Sequence, residues 1–140
     1  MKTRLLIVIV FTLAFMLAAQ FVNTSTAAPS YSAQLLSPTA GQVLTPGQVV
    51  RVEWKSVIPK IDLIDSCEME VRLSLDGGNN YIYRISPYLT AKAHSFLWTV
   101  PNLPTNTAVM DIRFGCEPFY PESRSPQPGS MFVIAQSSGS

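Results

Sequence analysis

The sequence predicts an all-β protein, an antiparallel β-sandwich of about seven strands. Two observations support this prediction. Short runs in which apolar and polar residues alternate recur along the chain, and a period of two is typical of strands with one buried face. Clusters of Pro, Gly and Asn separate these runs, and no helical periodicity is found after residue 27.

The N-terminal segment has the features of a secretory signal peptide. Basic Lys2 and Arg4 precede an apolar run over residues 5–19, and a tail of small residues ends at Ala27, after which we expect cleavage. An uncleaved membrane anchor is the alternative, because the apolar run almost reaches the length that spans a bilayer. The sequence therefore predicts a secreted or cell-envelope protein.

Removal of the signal peptide, residues 1–27, leaves 113 residues, which suffice for one domain and are too few for two. We divide them into a linker over residues 28–34, a sandwich over 35–135 and a loose tail over 136–140. The whole chain has a formal charge of +1, and the mature part keeps eight basic residues against nine acidic ones. Without a cationic run, neither nucleic acid nor an acidic membrane is an expected partner.

The seven predicted strands show alternation or a β-prone composition, and turn-forming residues bound them. Trp54 and Trp98 fall on inward positions and are expected in the core. The strands cover residues 31–36, 49–54, 67–75, 81–85, 95–100, 108–116 and 130–135. The longer connections, expected to be loops, cover residues 37–48, 57–66, 88–94 and 117–129.

The chain is organised around a β-hairpin between Cys67 and Tyr83. In its first strand the odd-numbered residues are apolar and are expected to face the core. The even-numbered residues, Glu68 and Glu70 among them, are expected to be solvated. Residues 76–80, Asp-Gly-Gly-Asn-Asn, are five turn-favouring residues in a row, so the second strand returns beside the first.

The turn of this hairpin resembles the Asp-box, Ser-x-Asp-x-Gly-x-Thr-Trp. Ser74, Asp76 and Gly78 match the motif, with Asn80 in place of Thr and Tyr81 in place of Trp. Such boxes recur in sialidase propellers and occur singly in extracellular modules, where they shape hairpins away from active sites. A propeller needs one box in each of several blades, and this chain has one. The resemblance therefore implies a single module and a structural role for the box.

A second resemblance comes from the order of motifs outside the hairpin. The run over residues 36–54, LSPTAGQVLTPGQVVRVEW, is followed by Trp-Thr-Val-Pro at 98–101 and by Ser-Met-Phe-Val-Ile at 130–134. This order resembles the fungal cell-wall glucan-assembly accessory domain, of the Ser-Thr-rich GPI-anchored type, and its bacterial relatives. The likeness covers residues 35–134. It implies an immunoglobulin- or fibronectin-like sandwich at the cell surface and provides no catalytic residues.

Cys67 and Cys116 both fall on inward positions of predicted strands. Two cysteines in an exported chain favour a disulfide over a metal site, because a metal would need further Cys or His ligands. The bridge would close a loop of about 50 residues and stabilise the fold by roughly 4 kcal/mol. Two buried free thiols are the alternative.

We find no pattern typical of catalysis, and we expect no cofactor and no metal. Nucleophilic chemistry needs a base beside the nucleophile, and the single histidine, His94, is expected at the surface. Glu68 and Glu70 come closest to a glycosidase carboxylate pair, but both belong to the face expected in solvent. Four possible calcium ligands lack the spacing of an EF-hand loop; they are Asp62, Asp65, Asp76 and Asn79.

Aromatic residues in the predicted loops are the candidates for binding. Tyr88 lies in one such loop and Phe119 and Tyr120 in another, where rings can stack on sugars or on a partner protein. The alternative, which we favour, is that these rings cap the ends of the core.

These features together predict a monomeric, non-enzymatic interaction or structural module that binds a glycan or a protein at the cell surface. A small secreted hydrolase or its carbohydrate-binding accessory is the first alternative. An immunoglobulin-like protease inhibitor is the second.

Overall fold

The structure is a computed structural model that describes residues 30–117 and 120–137, so the predicted signal peptide lies outside the described residues. Ten strands form in this part of the chain: β1 (Ser32–Ser37), β2 (Val43–Leu44), β3 (Val49–Val57), β4 (Glu68–Ser74), β5 (Tyr83–Arg84), β6 (Leu89–Thr90), β7 (Ser95–Thr99), β8 (Thr105–Cys116), β9 (Tyr120–Pro126) and β10 (Phe132–Ile134). Two short 3-10 turns cover Ile64–Ser66 and Pro128–Ser130. Within the described ranges, no helix has the length and apolar character needed to cross a membrane.

The strands form two sheets. A three-stranded antiparallel sheet has the order β1-β3-β7, and a larger sheet has the order β2-β10-β8-β4-β5. Strand β6 also pairs with β4, and β9 also pairs with β8. The pairing of β10 with β2 is parallel, whereas the other pairings are antiparallel. The predicted all-β class is confirmed, but the number of strands in the described residues is ten and not about seven.

The three additional strands lie in connections that were expected to be loops. The largest error concerns residues 117–129, where β9 pairs with β8 from Asp111 opposite Pro126 to Cys116 opposite Tyr120. Proline lacks the N–H that a central strand must donate, and it is found mainly on edge strands. Pro121 and Pro126 lie in such a strand, so the proline content that suggested a loop is compatible with pairing on one side.

The sandwich begins within residues 28–34, which were assigned to the linker, because the first predicted strand, over residues 31–36, is present as β1. Tyr31, just before it, is buried, and its ring stacks on that of Phe114 with 5.2 Å between centroids. Its hydroxyl donates a hydrogen bond of 3.1 Å to the carbonyl oxygen of Ile112. Burial, with a smaller effect from Asp111, raises the pKa of Tyr31. These contacts of Tyr31 anchor the start of the domain on the larger sheet.

The core lies between the two sheets, and the predicted alternation is confirmed there. Trp54 and Trp98 of the smaller sheet are 2% and 5% exposed, and the ring of Trp98 meets that of Phe132 edge-on at 6.3 Å. Burial of these apolar side chains is the main favourable contribution to folding. The fully buried inward residues of β4 and β8 are Met69, Val71, Leu73, Ala108, Met110 and Ile112.

Candidate functional site

The Asp-box turn is built on the buried hydroxyl of Ser74 and the exposed carboxylate of Asp76. The Ser74 hydroxyl donates to Asp76 Oδ1 at 2.6 Å and accepts the backbone N–H of Gly78 at 2.9 Å. Asp76 Oδ1 also accepts the backbone N–H of Asn80 at 2.9 Å, and Asp76 Oδ2 accepts the Asn80 side-chain amide at 2.7 Å. The two side chains thus satisfy amides that a tight turn leaves without ladder partners.

Glycine is required at the centre of this turn. Gly77 and Gly78 have φ angles of +74° and +94°, which L-amino acids with a side chain rarely adopt. A Cβ on Gly78 would lie 2.9 Å from the hydroxyl oxygen of Tyr81, so the ring of Tyr81 lies against the turn. Desolvation is the main cause that raises the pKa of Tyr81. The four box residues therefore form one structural unit.

We predict that Ser74→Ala lowers the free energy of unfolding by about 1–2 kcal/mol, because it leaves the Gly78 N–H and the Asp76 carboxylate without their shared partner. Urea denaturation of the purified protein measures the change. Ser32→Ala is the matched control, since Ser32 is an exposed serine at the start of β1. Equal unfolding midpoints for the Ser74→Ala variant and the wild type would contradict a structural role of the box.

The same hydrogen bonds predict a pH dependence of stability. Donation by Ser74, then by the side chain and backbone of Asn80, lowers the pKa of Asp76 to about 2. Because this pKa lies below that of the unfolded chain, the stabilisation is present above about pH 4 and is lost as the pH falls towards about 2. We expect the unfolding midpoint of the wild type to fall more steeply over this range than that of Asp76→Asn. Parallel pH profiles would contradict the prediction.

The outward face of β4, which was expected to be solvated, is largely covered, and so is that of β8. Glu70 is 8% exposed, and Asp111 and Ser74 are fully buried. The prediction that these residues are exposed to solvent was wrong, because β9 and the Asp-box turn lie beside them. Arg124 of β9 donates to Asp111 at 3.0 Å, and the Arg124 guanidinium lies 5.4 Å from the centre of the Tyr81 ring.

Ion pairs connect the charged residues of this face. Arg72 Nε donates to Glu70 Oε1 at 2.6 Å, and this hydrogen bond is the main cause that raises the pKa of Arg72. Arg113 Nε donates to Asp111 Oδ2 at 2.8 Å, and its Nη1 donates to Glu122 Oε1 at 2.9 Å. The side chain of Arg113 is only 12% exposed and that of Asp111 is fully buried, so this ion pair is shielded from solvent, whereas Glu122 is 51% exposed.

An open groove of about 650 Å³ lies above this network, on the outer face of the larger sheet. Strands β4 and β8 form its floor, β9 forms one wall and Tyr88, just before β6, stands on the opposite side. Rigid strands therefore hold the polar groups of the groove in place. The charged and aromatic side chains that line the groove include Glu68, Glu70, Arg72, Tyr88, Arg113 and Glu122.

The three aromatic candidates have different positions. Tyr88 is 62% exposed at the groove, and the guanidinium carbon of Arg84 lies 4.3 Å from the centre of its ring. Tyr120 opens β9, is half-buried and packs on Phe114 with 5.5 Å between ring centroids. It therefore caps the core, although it also lines the groove. Phe119 lies outside the described residues.

The predicted disulfide between Cys67 and Cys116 is present, with 4.1 Å between the Cα atoms. Glu68 pairs with Gly115, so the two cysteines lie directly opposite each other on adjacent strands of one sheet. Cys116 also lines the groove, as does Ser66 of the 3-10 turn at Ile64–Ser66. The disulfide thus fixes the β4–β8 pair at the end where the groove lies.

The other candidate residues, for catalysis and for calcium binding, do not come together in one site. His94 is exposed, and its carbonyl oxygen accepts the backbone N–H of Trp54 at 3.0 Å. Asp65 forms an exposed ion pair of 2.8 Å with Lys92. Within residues 30–117 and 120–137, no group of three or more His, Cys, Asp or Glu side chains is arranged to hold a metal ion.

Comparison of the chain with protein-family models, with curated proteins and with solved structures finds no match. The function of the site is therefore inferred from its geometry. Sequence reasoning missed the participation of four residues in it. These residues are Asp111, Arg113, Glu122 and Arg124. The only feature of the sequence that indicated them was the alternation of charged residues along β8 and along a proline-rich segment.

Proposed function

We propose that the protein is an exported, non-enzymatic module of the cell surface or envelope, and that it binds a surface partner through the groove on its larger sheet. The single observation that supports this proposal best is Tyr88, a large aromatic side chain that is 62% exposed beside hydrogen-bonding charged groups. Exposed aromatic rings with polar neighbours are typical of recognition sites, because one ring provides much contact area at a small entropic cost.

Export is supported by two features. The N-terminal segment has the order of basic, apolar and small residues that is typical of a signal peptide. The Cys67–Cys116 disulfide suits an oxidising compartment such as the cell exterior or envelope. The resemblance of the motif order to the glucan-assembly accessory domain supports an immunoglobulin-like module at the same location.

The bonding of the groove carboxylates supports binding rather than catalysis. General acid–base catalysis needs a group that exchanges a proton with the substrate. Glu70 is instead bound to Arg72 at 2.6 Å and lies 3.9 Å from Arg113, while Glu122 is bound to Arg113. These pairs engage two of the four groove glutamates, Glu70 and Glu122, with internal partners, and Tyr88 is the aromatic group that projects from the site.

The test has two steps. The tagged full-length chain is expressed in its native host, and we expect it in the exported or envelope fraction. Exported protein is then incubated with isolated envelopes, and the bound fraction is measured by sedimentation. We expect Tyr88→Ala to weaken binding by about tenfold, as for a central contact residue.

Ile82→Ala is the matched control for this experiment. Ile82 is 68% exposed, so its truncation also removes exposed apolar surface, but it lies between the Asp-box turn and β5 and does not line the groove. We expect the Ile82→Ala variant to bind envelopes like the wild type. Retention of the protein inside the cell, or unchanged binding by Tyr88→Ala, would overturn the proposed function.

A further inference from the structure

We infer that the groove binds a basic peptide segment of a partner protein, with arginine or lysine side chains placed between Tyr88 and the groove carboxylates. This inference rests on the proposed function, because it names the class of partner for the same site. It depends on three properties of the groove: its charge balance, the internal pairing of its arginines and the environment of the Tyr88 ring.

The groove has an excess of negative charge. Four glutamates line it, whereas two arginines, Arg72 and Arg113, do so. Asp111 is shared by Arg113 and the half-exposed Arg124, and Arg84 lies against the ring of Tyr88, so the lining and these neighbours together have one carboxylate more than they have guanidinium groups. This excess of carboxylates favours a cationic ligand, since complementary charge directs both the encounter and the orientation of a partner. The four glutamates are Glu68, Glu70, Glu117 and Glu122.

The arginines of the groove are unsuited to binding an anionic ligand. Arg72 is engaged by Glu70, and Arg113 by Asp111 and Glu122. An anionic ligand would have to break these charge-assisted hydrogen bonds, and the side chain of Arg113 is only 12% exposed. Apart from the guanidinium of Arg72, whose side chain is 33% exposed, the accessible charges of the groove lining are therefore the negative ones.

Three carboxylates remain accessible to a ligand. Glu68 and Glu117 are exposed, and the side chain of Glu122 is 51% exposed although one oxygen accepts from Arg113. A carboxylate has two oxygens and several acceptor positions, so Glu122 can accept a second donor. An arginine side chain presents five N–H donors in a planar fork that matches such groups.

The ring of Tyr88 already binds a guanidinium group. The Arg84 guanidinium carbon lies 4.3 Å from its centroid, within the range of a cation–π contact. An aromatic ring has two faces, and Tyr88 is 62% exposed, so a guanidinium or ammonium group of a ligand can approach the ring while Arg84 stays in place. Because the Tyr88 ring can contact cations and lies beside carboxylates, it favours basic side chains of a ligand over neutral or acidic ones.

The test uses a blocked hexa-arginine peptide as the probe, titrated into isotope-labelled exported protein and followed by two-dimensional NMR at low salt. We expect saturable shifts at the backbone amides around Tyr88, Glu68 and Gly115. Glu68→Gln and Glu117→Gln should each weaken binding about two- to fivefold, as exposed charge pairs do. Tyr88→Ala should weaken it further, whereas Tyr88→Phe, which keeps the ring, should bind like the wild type.

Glu53→Gln is the matched control, because Glu53 is an exposed carboxylate on the smaller sheet, outside the groove. It removes the same charge and should leave the affinity unchanged. Shifts spread evenly over the surface, or equal weakening by Glu53→Gln and Glu68→Gln, would overturn the inference. Tighter groove binding of hexa-glutamate or of a neutral oligosaccharide would overturn it as well.

The failure of this inference is distinguishable from failure of the proposed function. If hexa-arginine does not bind the groove but envelope binding still depends on Tyr88, the inference is wrong and the surface role stands. If the protein is not exported, the proposed function is wrong whatever the peptide titration shows.

Discussion

Reduction of the Cys67–Cys116 disulfide is expected to lower the free energy of unfolding by about 4 kcal/mol. The bridge joins residues 49 positions apart, and a closed loop of that length removes much of the conformational freedom of the unfolded chain. Since domains of this size are stable by only about 5–15 kcal/mol, the change removes a large part of the total. Urea denaturation with and without reductant measures it.

The double variant Cys67→Ala/Cys116→Ala is the control for the reductant. Its unfolding midpoint should be low from the start and should not change when reductant is added. Alkylation of native, exported protein without reductant, followed by intact-mass measurement, tests the bridge itself. Two alkylated thiols in that material, or an unfolding midpoint that is unaffected by reduction, would contradict the prediction.

Asp111→Ala is expected to destabilise the protein by about 3 kcal/mol. Asp111 is fully buried, and its Oδ2 atom accepts hydrogen bonds from Arg113 at 2.8 Å and from Arg124 at 3.0 Å. Removal of the carboxylate leaves the guanidinium of Arg113, which is only 12% exposed, with a single ion-pair partner at hydrogen-bond distance, Glu122. The loss of a buried ion-pair partner is more costly than the loss of an exposed one, because the remaining charge is poorly hydrated.

Chemical denaturation measures this effect, and two further variants define its cause. Asp111→Asn keeps the size of the side chain and one acceptor, so we expect a smaller loss. Glu53→Ala removes a carboxylate that is 48% exposed and 3.9 Å from Arg51, and its effect should stay within about 0.5 kcal/mol. A loss for Asp111→Ala as small as that for Glu53→Ala would contradict a structural ion-pair network.

The groove and its ion pairs were not predictable from the alternation of residues. A period of two indicates which side chains share a face, but it does not indicate what lies against that face. Glu70 was correctly placed on the side opposite the core, yet it is buried, as is Asp111 on the same side of β8, because other segments cover that side. Arg124, which pairs with Asp111, comes from a segment whose prolines suggested a loop.

The sequence alone determined seven of the ten strands in the described residues, the inward faces of the core strands and the Asp-box turn, because each depends on residues close together in the chain. It also determined the disulfide, since Cys67 and Cys116 are the two cysteines present and both lie on inward positions. Only the tertiary structure decided that β9 pairs with β8 and that Tyr88 stands over a charged groove. Strand pairing and the covering of an outer face depend on segments that are distant in sequence, and local patterns contain no information about such neighbours.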